Sequence, residues 1–338
     1  MTKKNTLTPQ HTFDRDISLS RNAASTDKGA SYQVNISADW QVFVGPNGGY
    51  IAAIILNGMK TELAATAGLP ILQPRSVTYH FLSASVAGPA TLEVQIEKLG
   101  RTLSSVTAKL FQNEKTIAIA LATFGNARAA VEFSDLAIPE VIPPEEVGQH
   151  NMMRKGVQGH VPFRDQFDQR IAIGPAPGDS SETARVGGWT RFNQPRRFDD
   201  LAIAAISDSW YPGLFTKKLD PPMHCPTVDH TVHFLANYPE NAGLEEFLLV
   251  DFQTSTANNG YSLKMDVFGP REAYCWQDRG NWQSYFPTNR LDEFIKFLAS
   301  VLLQSHLFLS MRSLFVSRIF SPGLLPITAG CQLTLSPV

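Results

Sequence analysis

Cysteine is scarce in this sequence and has no useful spacing. Cys225, Cys275 and Cys331 are the three cysteines of 338 residues, with no C-x-x-C pair. An odd, scattered set suggests neither a disulfide framework nor a zinc site and fits a reducing compartment. Charge of one sign is also lacking: the net charge is −2 and no like-charged run appears. Nothing there can neutralise a nucleic-acid backbone, so nucleic acid is not expected as a partner. Gly-x-Ser-x-Gly elbows, phosphate-binding loops and dinucleotide fingerprints are missing as well, which disfavours the α/β-hydrolase route and implies no cofactor and no metal. The polar start, Met1 to Asp14, has no apolar core of the kind a secretory signal needs. Phe297 to Met311 is the only apolar run of note, and Gln304 and His306 break it. It falls short of the roughly 20 residues a bilayer demands, so a membrane partner is disfavoured and a buried helix is the plainer reading. The cytoplasm is the default location; the ending Ser336-Pro337-Val338 is no peroxisomal signal, and a different true C-terminus would reopen that address.

What is present is concentrated between Trp40 and Phe124. The turn Gly45-Pro46-Asn47-Gly48-Gly49-Tyr50 runs into Ile51-Ala52-Ala53-Ile54-Ile55-Leu56, glycines that allow a sharp bend followed by the composition of a buried helix. Strands are predicted over Ser76 to Leu82, Ala90 to Leu99, Leu103 to Gln112 and Thr116 to Phe124, with Ser31 to Ile36 as a first strand. A Pro-rich stretch follows from Ala129 to about Glu182 and reads as a linker that wraps. The second half repeats the order more faintly: strand Arg185 to Phe192, helix Asp199 to Trp210, strands Thr227 to Leu235 and Phe247 to Ser255. Two copies of one supersecondary unit imply a pseudo-symmetric body. The expected organisation is a flexible arm over 1–30, a first domain over 31–128, a linker over 129–182, a second and incomplete domain over 183–270, and an atypical tail over 271–338.

Those residues resemble the type II acyl-CoA thioesterases of the double-hotdog class, in the branch common in fungi and actinobacteria. The resemblance rests on Trp40, Pro46 to Tyr50, Arg75 to Leu82 and Gly100 to Ser104, and in the second half on Ser207-Asp208-Ser209 and Thr227 to Thr231. It covers about 31–263 and implies an α+β double hotdog: a helix wrapped by an antiparallel sheet, twice, binding acyl-CoA or another acyl thioester. The family pattern holds a water with an Asp, a Thr and a Gln, and Asp208 and Thr227 occupy the first two positions. Set among apolar neighbours, Asp208 is expected to have a raised pKa suited to a base, or else to cap backbone as such residues do. Thr227 either orients the water or is an ordinary strand residue. Gly48 and Gly49 either offer amides to the thioester carbonyl or permit close packing, and Asn47 either contacts substrate or caps the turn. Arg75, Arg101, Arg196 and Arg197 are candidates for the phosphates of coenzyme A. Asp229 and His230, adjacent on a strand, face opposite sides and are not expected to act together. Assembly into a homo-oligomer is left open.

The resemblance stops at Asp266-Val267-Phe268-Gly269-Pro270. The family continues G-x-L-x-A and then Gln, whereas this chain reads Arg271-Glu272-Ala273-Tyr274-Cys275-Trp276-Gln277. We read the change as a shifted reading frame or a mispredicted intron, a hypothesis that requires a Leu-Ile-Ala-like continuation in the shifted frame. The second sheet is then expected to have an open edge, and the family's Gln has no counterpart. Three functions remain: thioester hydrolysis, acyl-thioester binding without catalysis, and a hotdog dehydratase, which would need a His opposite an acid.

Overall fold

The computed structural model describes residues 11–22, 29–66, 72–129, 131, 135–147, 161–176, 179–217, 225–235, 242–270 and 276–278, all within one unit over 1–286. The atypical tail, apart from 276–278, and the 297–311 run lie outside them. No described helix is long and apolar enough to cross a membrane.

The first half is built around α2 (Gly48–Ala65), 18 residues that are apolar on nearly every side. Such a helix must be enclosed, and the strands around it supply the enclosure through period-two alternation. β2 (Gly29–Ile36), β3 (Gln73–Phe81), β4 (Gly88–Lys98), β5 (Leu103–Gln112) and β6 (Lys115–Gly125) turn one face inward, for example Leu92, Val94 and Ile96 from β4 against Val106, Ala108 and Leu110 from β5. The second half repeats this with β8 (Arg185–Phe192), α3 (Asp200–Ile206), β9 (Asp229–His233), β10 (Leu248–Asn258), β11 (Tyr261–Pro270) and β12 (Trp276–Asp278).

A single 12-stranded sheet results. Its order runs β2-β4-β5-β6-β3 in the first half and then β9-β12-β11-β10-β8 in the second, the same arrangement read backwards. The halves join where β3 pairs antiparallel with β9, from Ser76 opposite His233 to His80 opposite Asp229. β12 fills the slot expected to stand open, pairing with both β11 and β9. It does so with three residues, against eleven in its counterpart β6.

Four stretches differ from the sequence reading. The arm carries α1 (Thr12–Asp16) and β1 (Ser20–Arg21), and Phe13 and Ile17 are buried. The wrapping linker contains a 3-10 turn, Pro162–Gln166, and the outer strand β7 (Phe167–Ile173), which pairs with β8. Both are anchored by rings. Phe192 packs against both Phe13 and Phe167 at 5.0 Å between centroids, and Trp40 stacks on Tyr50 at 4.8 Å and meets Phe167 edge-on. Aromatic burial outweighs the local proline content. Third, α3 stops at Ile206 rather than Trp210. Ser207 turns its hydroxyl back to Ala204 O at 2.9 Å and Pro212 lies ahead, so local bonding and the missing N–H end the helix. Fourth, β9 begins two residues after Thr227.

The two helices meet through small residues. A Cβ on Gly49 would stand 2.4 Å from Ala205 O, so only glycine allows this approach. That crossing sets the start of α2 beside the end of α3.

Candidate active site

Beside this crossing lies a cavity of about 630 Å³, within the range of small-molecule sites. Its walls come from both halves: the loop 42–48, the end of β3 at Phe81 and Leu82, Val161 to Arg164, the segment after α3, and the extended residues Cys225 to Val228. Val42, Ile51, Phe81, Ile117, Phe163 and Trp210 make the lining largely apolar. The rim is apolar too, with Phe43 65% and Leu82 57% exposed.

Asp208 and Asp179 are the acids on this wall, and Asp208 is the one beside the helix crossing. It follows α3 directly and its carboxyl sits against the start of α2, close enough for the backbone amides of Gly49 and Gly48 to favour its ionised form. Asn47 Nδ2 donates to Asp208 O at 2.8 Å and reaches Asp208 Oδ2 at 3.4 Å. Gly48 has no room for a side chain, since a Cβ there would lie 2.6 Å from Asp208 Oδ2. Enclosure by protein pushes the Asp208 carboxyl up to about 7, against the opposing pull of Lys264, the Gly49 and Gly48 amides and Arg164. A carboxylate that loses its proton near neutrality suits proton abstraction from water.

Asn47, Gly48, Asp208 and Thr227 therefore share one cavity. Asn47 also caps α2, its Oδ1 accepting from Tyr50 N at 3.1 Å. Gly48 packs closely against Asp208 and Gly49 against Ala205. Arg75 and Arg101 do not line the cavity. Arg75 Nε donates to Gly125 O at 3.1 Å near the opposite end of β3, and the six residues to Phe81 span about 20 Å of strand. Arg101 sits in the exposed turn between β4 and β5. Arg196 is held by Asp14 and Asp199. The cation that does line the cavity is Arg164, carried by the turn inside the presumed linker and fixed by Phe163 N donating to Gln41 O at 3.2 Å. Its only signal in the sequence is its position between Phe163 and Phe167.

No histidine is among the described lining residues. His230 is buried, its Nε2 2.7 Å from Ser207 Oγ, and burial beside Lys264 pushes it down to about 3, so it stays neutral. Asp229 lies on the other face, next to His80. The family's glutamine has no counterpart among the described lining residues.

Comparison with known proteins gives a consistent picture. Residues 36–125 match the family model described as the acyl-CoA thioesterase N-terminal domain, and 142–267 match the acyl-CoA thioesterase C-terminal domain. The second match starts inside the presumed linker, in accord with the position of β7. A thioesterase-like protein, TwmA, of Talaromyces wortmannii is 29% identical over 135 residues, 35% of this chain and 36% of the relative. An uncharacterized protein of Mycobacterium tuberculosis is 29% identical over 94 residues, 28% of this chain and 32% of that protein. The matched stretch thus spans about a third of the length of the curated relatives. Among solved structures, a hot dog fold protein of unknown function from Alicyclobacillus acidocaldarius superposes with a TM-score of 0.67 at 24% identity, covering 79% of this chain and 95% of its own. The acyl-CoA thioesterase II TesB2 of Mycobacterium marinum gives 0.59 at 19% identity, covering 82% and 99%. These likenesses establish the fold.

Proposed function

The chain belongs to the acyl-CoA thioesterase family, both of whose domains it carries, and from that premise we propose that it hydrolyses acyl-CoA thioesters to free acid and coenzyme A. One observation carries the reading: a carboxyl group poised near neutrality faces an apolar cavity that also receives Thr227. The apolar wall takes the acyl chain, Asp208 draws a proton from water, and the Thr227 hydroxyl orients that water. The test is release of free thiol from a medium-chain acyl-CoA by the full chain. Turnover supports hydrolysis, whereas binding without turnover transfers the assignment to acyl binding, the reading that the three-residue β12 favours.

Thr227→Val keeps the shape and removes the hydroxyl. Loss of one orienting hydrogen bond of about 1 to 1.5 kcal/mol should lower kcat/KM by roughly tenfold, with Thr227→Ser restoring most of it. Equal rates for the three proteins would leave Thr227 as wall only.

A further inference from the structure

Arg164, Asp179 and Asp208 are the charged side chains on the described lining, and the guanidinium forms an ion pair with neither carboxylate. Arg164 Nη1 donates to Gln169 Oε1 at 2.8 Å and to Ser209 O at 3.3 Å, and its Cζ lies 5.3 Å from the centre of the Phe163 ring. Among the described residues no carboxylate oxygen comes within 4.0 Å of the guanidinium, although Asp208 is close enough to act on it electrostatically. The remainder of the guanidinium, Nε and Nη2, has no hydrogen bond to the described residues. Enclosure lowers the Arg164 pKa to about 10, the mark of a cation separated from water without a full counter-charge.

Attack of water on a thioester puts negative charge on the carbonyl oxygen, and a preorganised donor must meet it. The start of α2 is taken up by the Asp208 carboxyl, whose Oδ2 lies 2.6 Å from where a Cβ on Gly48 would stand. Arg164 is the cationic donor left on the described wall.

We propose that Arg164 is a catalytic residue that binds the thioester carbonyl oxygen and stabilises its oxyanion. The assignment rests on the hydrolytic reading above. As the water oxygen bonds to the carbonyl carbon, its proton passes to the Asp208 carboxylate, and the carbonyl π pair moves onto the oxygen facing Arg164. Collapse re-forms the carbonyl and breaks the carbon–sulfur bond. The departing thiolate takes the proton back from Asp208, so thioester and water become acid and thiol. A neutral carbonyl gains little from a guanidinium that an oxyanion gains greatly from, which places the effect in kcat rather than KM.

The experiment compares the wild-type chain with Arg164→Gln and Arg164→Lys, using a medium-chain acyl-CoA and two non-reacting probes. One probe is the alkyl thioether of coenzyme A, without a carbonyl; the other is the trifluoromethyl ketone analogue, which hydrates to a tetrahedral form. For Arg164→Gln, kcat should fall by about 10²–10³ with KM changed little, and affinity for the ketone should fall with it while thioether affinity is retained. Arg164→Lys should recover part of kcat. Unchanged kcat, or equal loss of affinity for both probes, overturns the role of Arg164 and leaves hydrolysis standing. A wild-type chain that binds the thioether yet never releases thiol overturns the hydrolytic reading and this assignment together.

Discussion

Asp208→Asn should lower kcat by about 10²–10⁴ and, at pH 8, raise the melting temperature. The loss of rate follows from removing the group that accepts the proton of water. The stability gain has a different source. Burial raises the folded-state carboxyl pKa to about 7 from the ordinary 3.8, so the folded chain holds this proton more tightly than the unfolded chain does. That contribution is fully present below the unfolded value and is lost as pH rises through 7. At pH 8 the ionised carboxyl is a burden of at most about 4 kcal/mol by the span of the shift, a figure that already includes the favourable pull of the Gly48 and Gly49 amides. Asparagine removes the charge and keeps an oxygen for those amides, so a rise of a few degrees is expected at pH 8 and none at pH 4. The same carboxyl predicts that kcat/KM of the wild-type chain climbs through about pH 7. A flat profile from pH 5 to 9, or an asparagine variant with full turnover, would remove Asp208 from the mechanism.

Asp266→Ala should destabilise the chain by about 3–5 kcal/mol, whereas replacing both partners at once, Lys264→Met with Asp266→Leu, should be close to neutral. Lys264 and Asp266 lie two apart on β11 and so share its inward face. Their charged atoms are 3.0 Å apart, both side chains are buried, and Lys264 Nζ stands 3.7 Å above the centre of the Phe252 ring. Removing only the carboxylate takes from the buried ammonium the partner 3.0 Å away. Replacing both groups by apolar side chains of similar size removes both desolvation costs together. Thermal melts at neutral pH separate the two. The double variant has a second expected effect, because Lys264 holds the Asp208 pKa down: its pH–rate profile should move to higher pH. Equal melting temperatures for Asp266→Ala and the wild type would mean that the pair contributes nothing to the core.

Much of this arrangement was legible in the residues. β5 and β8 occupy the spans read for them, Leu103–Gln112 and Arg185–Phe192, because alternating inward residues flanked by turn residues leave little choice of register. α2 was equally plain. The run Ile203 to Ile206 identified α3, but its end was misjudged, since Ser207-Asp208-Ser209 carries no glycine or proline and the hydroxyl of Ser207 ends the helix only through its bond to Ala204. The segment 129–182 misled because prolines mark turns whether or not aromatic side chains beside them are buried. Asp208 and Thr227 were reached through the family pattern. Arg164 was not, because its position beside Asp208 depends on residues 44 apart in sequence meeting across a cavity, and neither alternation nor composition records such a meeting.

The pairing of β3 with β9 has a consequence for the economy of the chain. A body that reads the same from either side offers two meeting places between the start of one helix and the flank of the other. At one, α2 begins with Asn47 and Gly48 directly against the ionisable Asp208, beside the cavity. At the other, α3 begins with Asp200, and Lys60 of α2 closes on it at 2.6 Å. At the second meeting place a side-chain ion pair occupies the contact, whereas the first opens on the cavity lined by Asn47, Gly48 and Asp208.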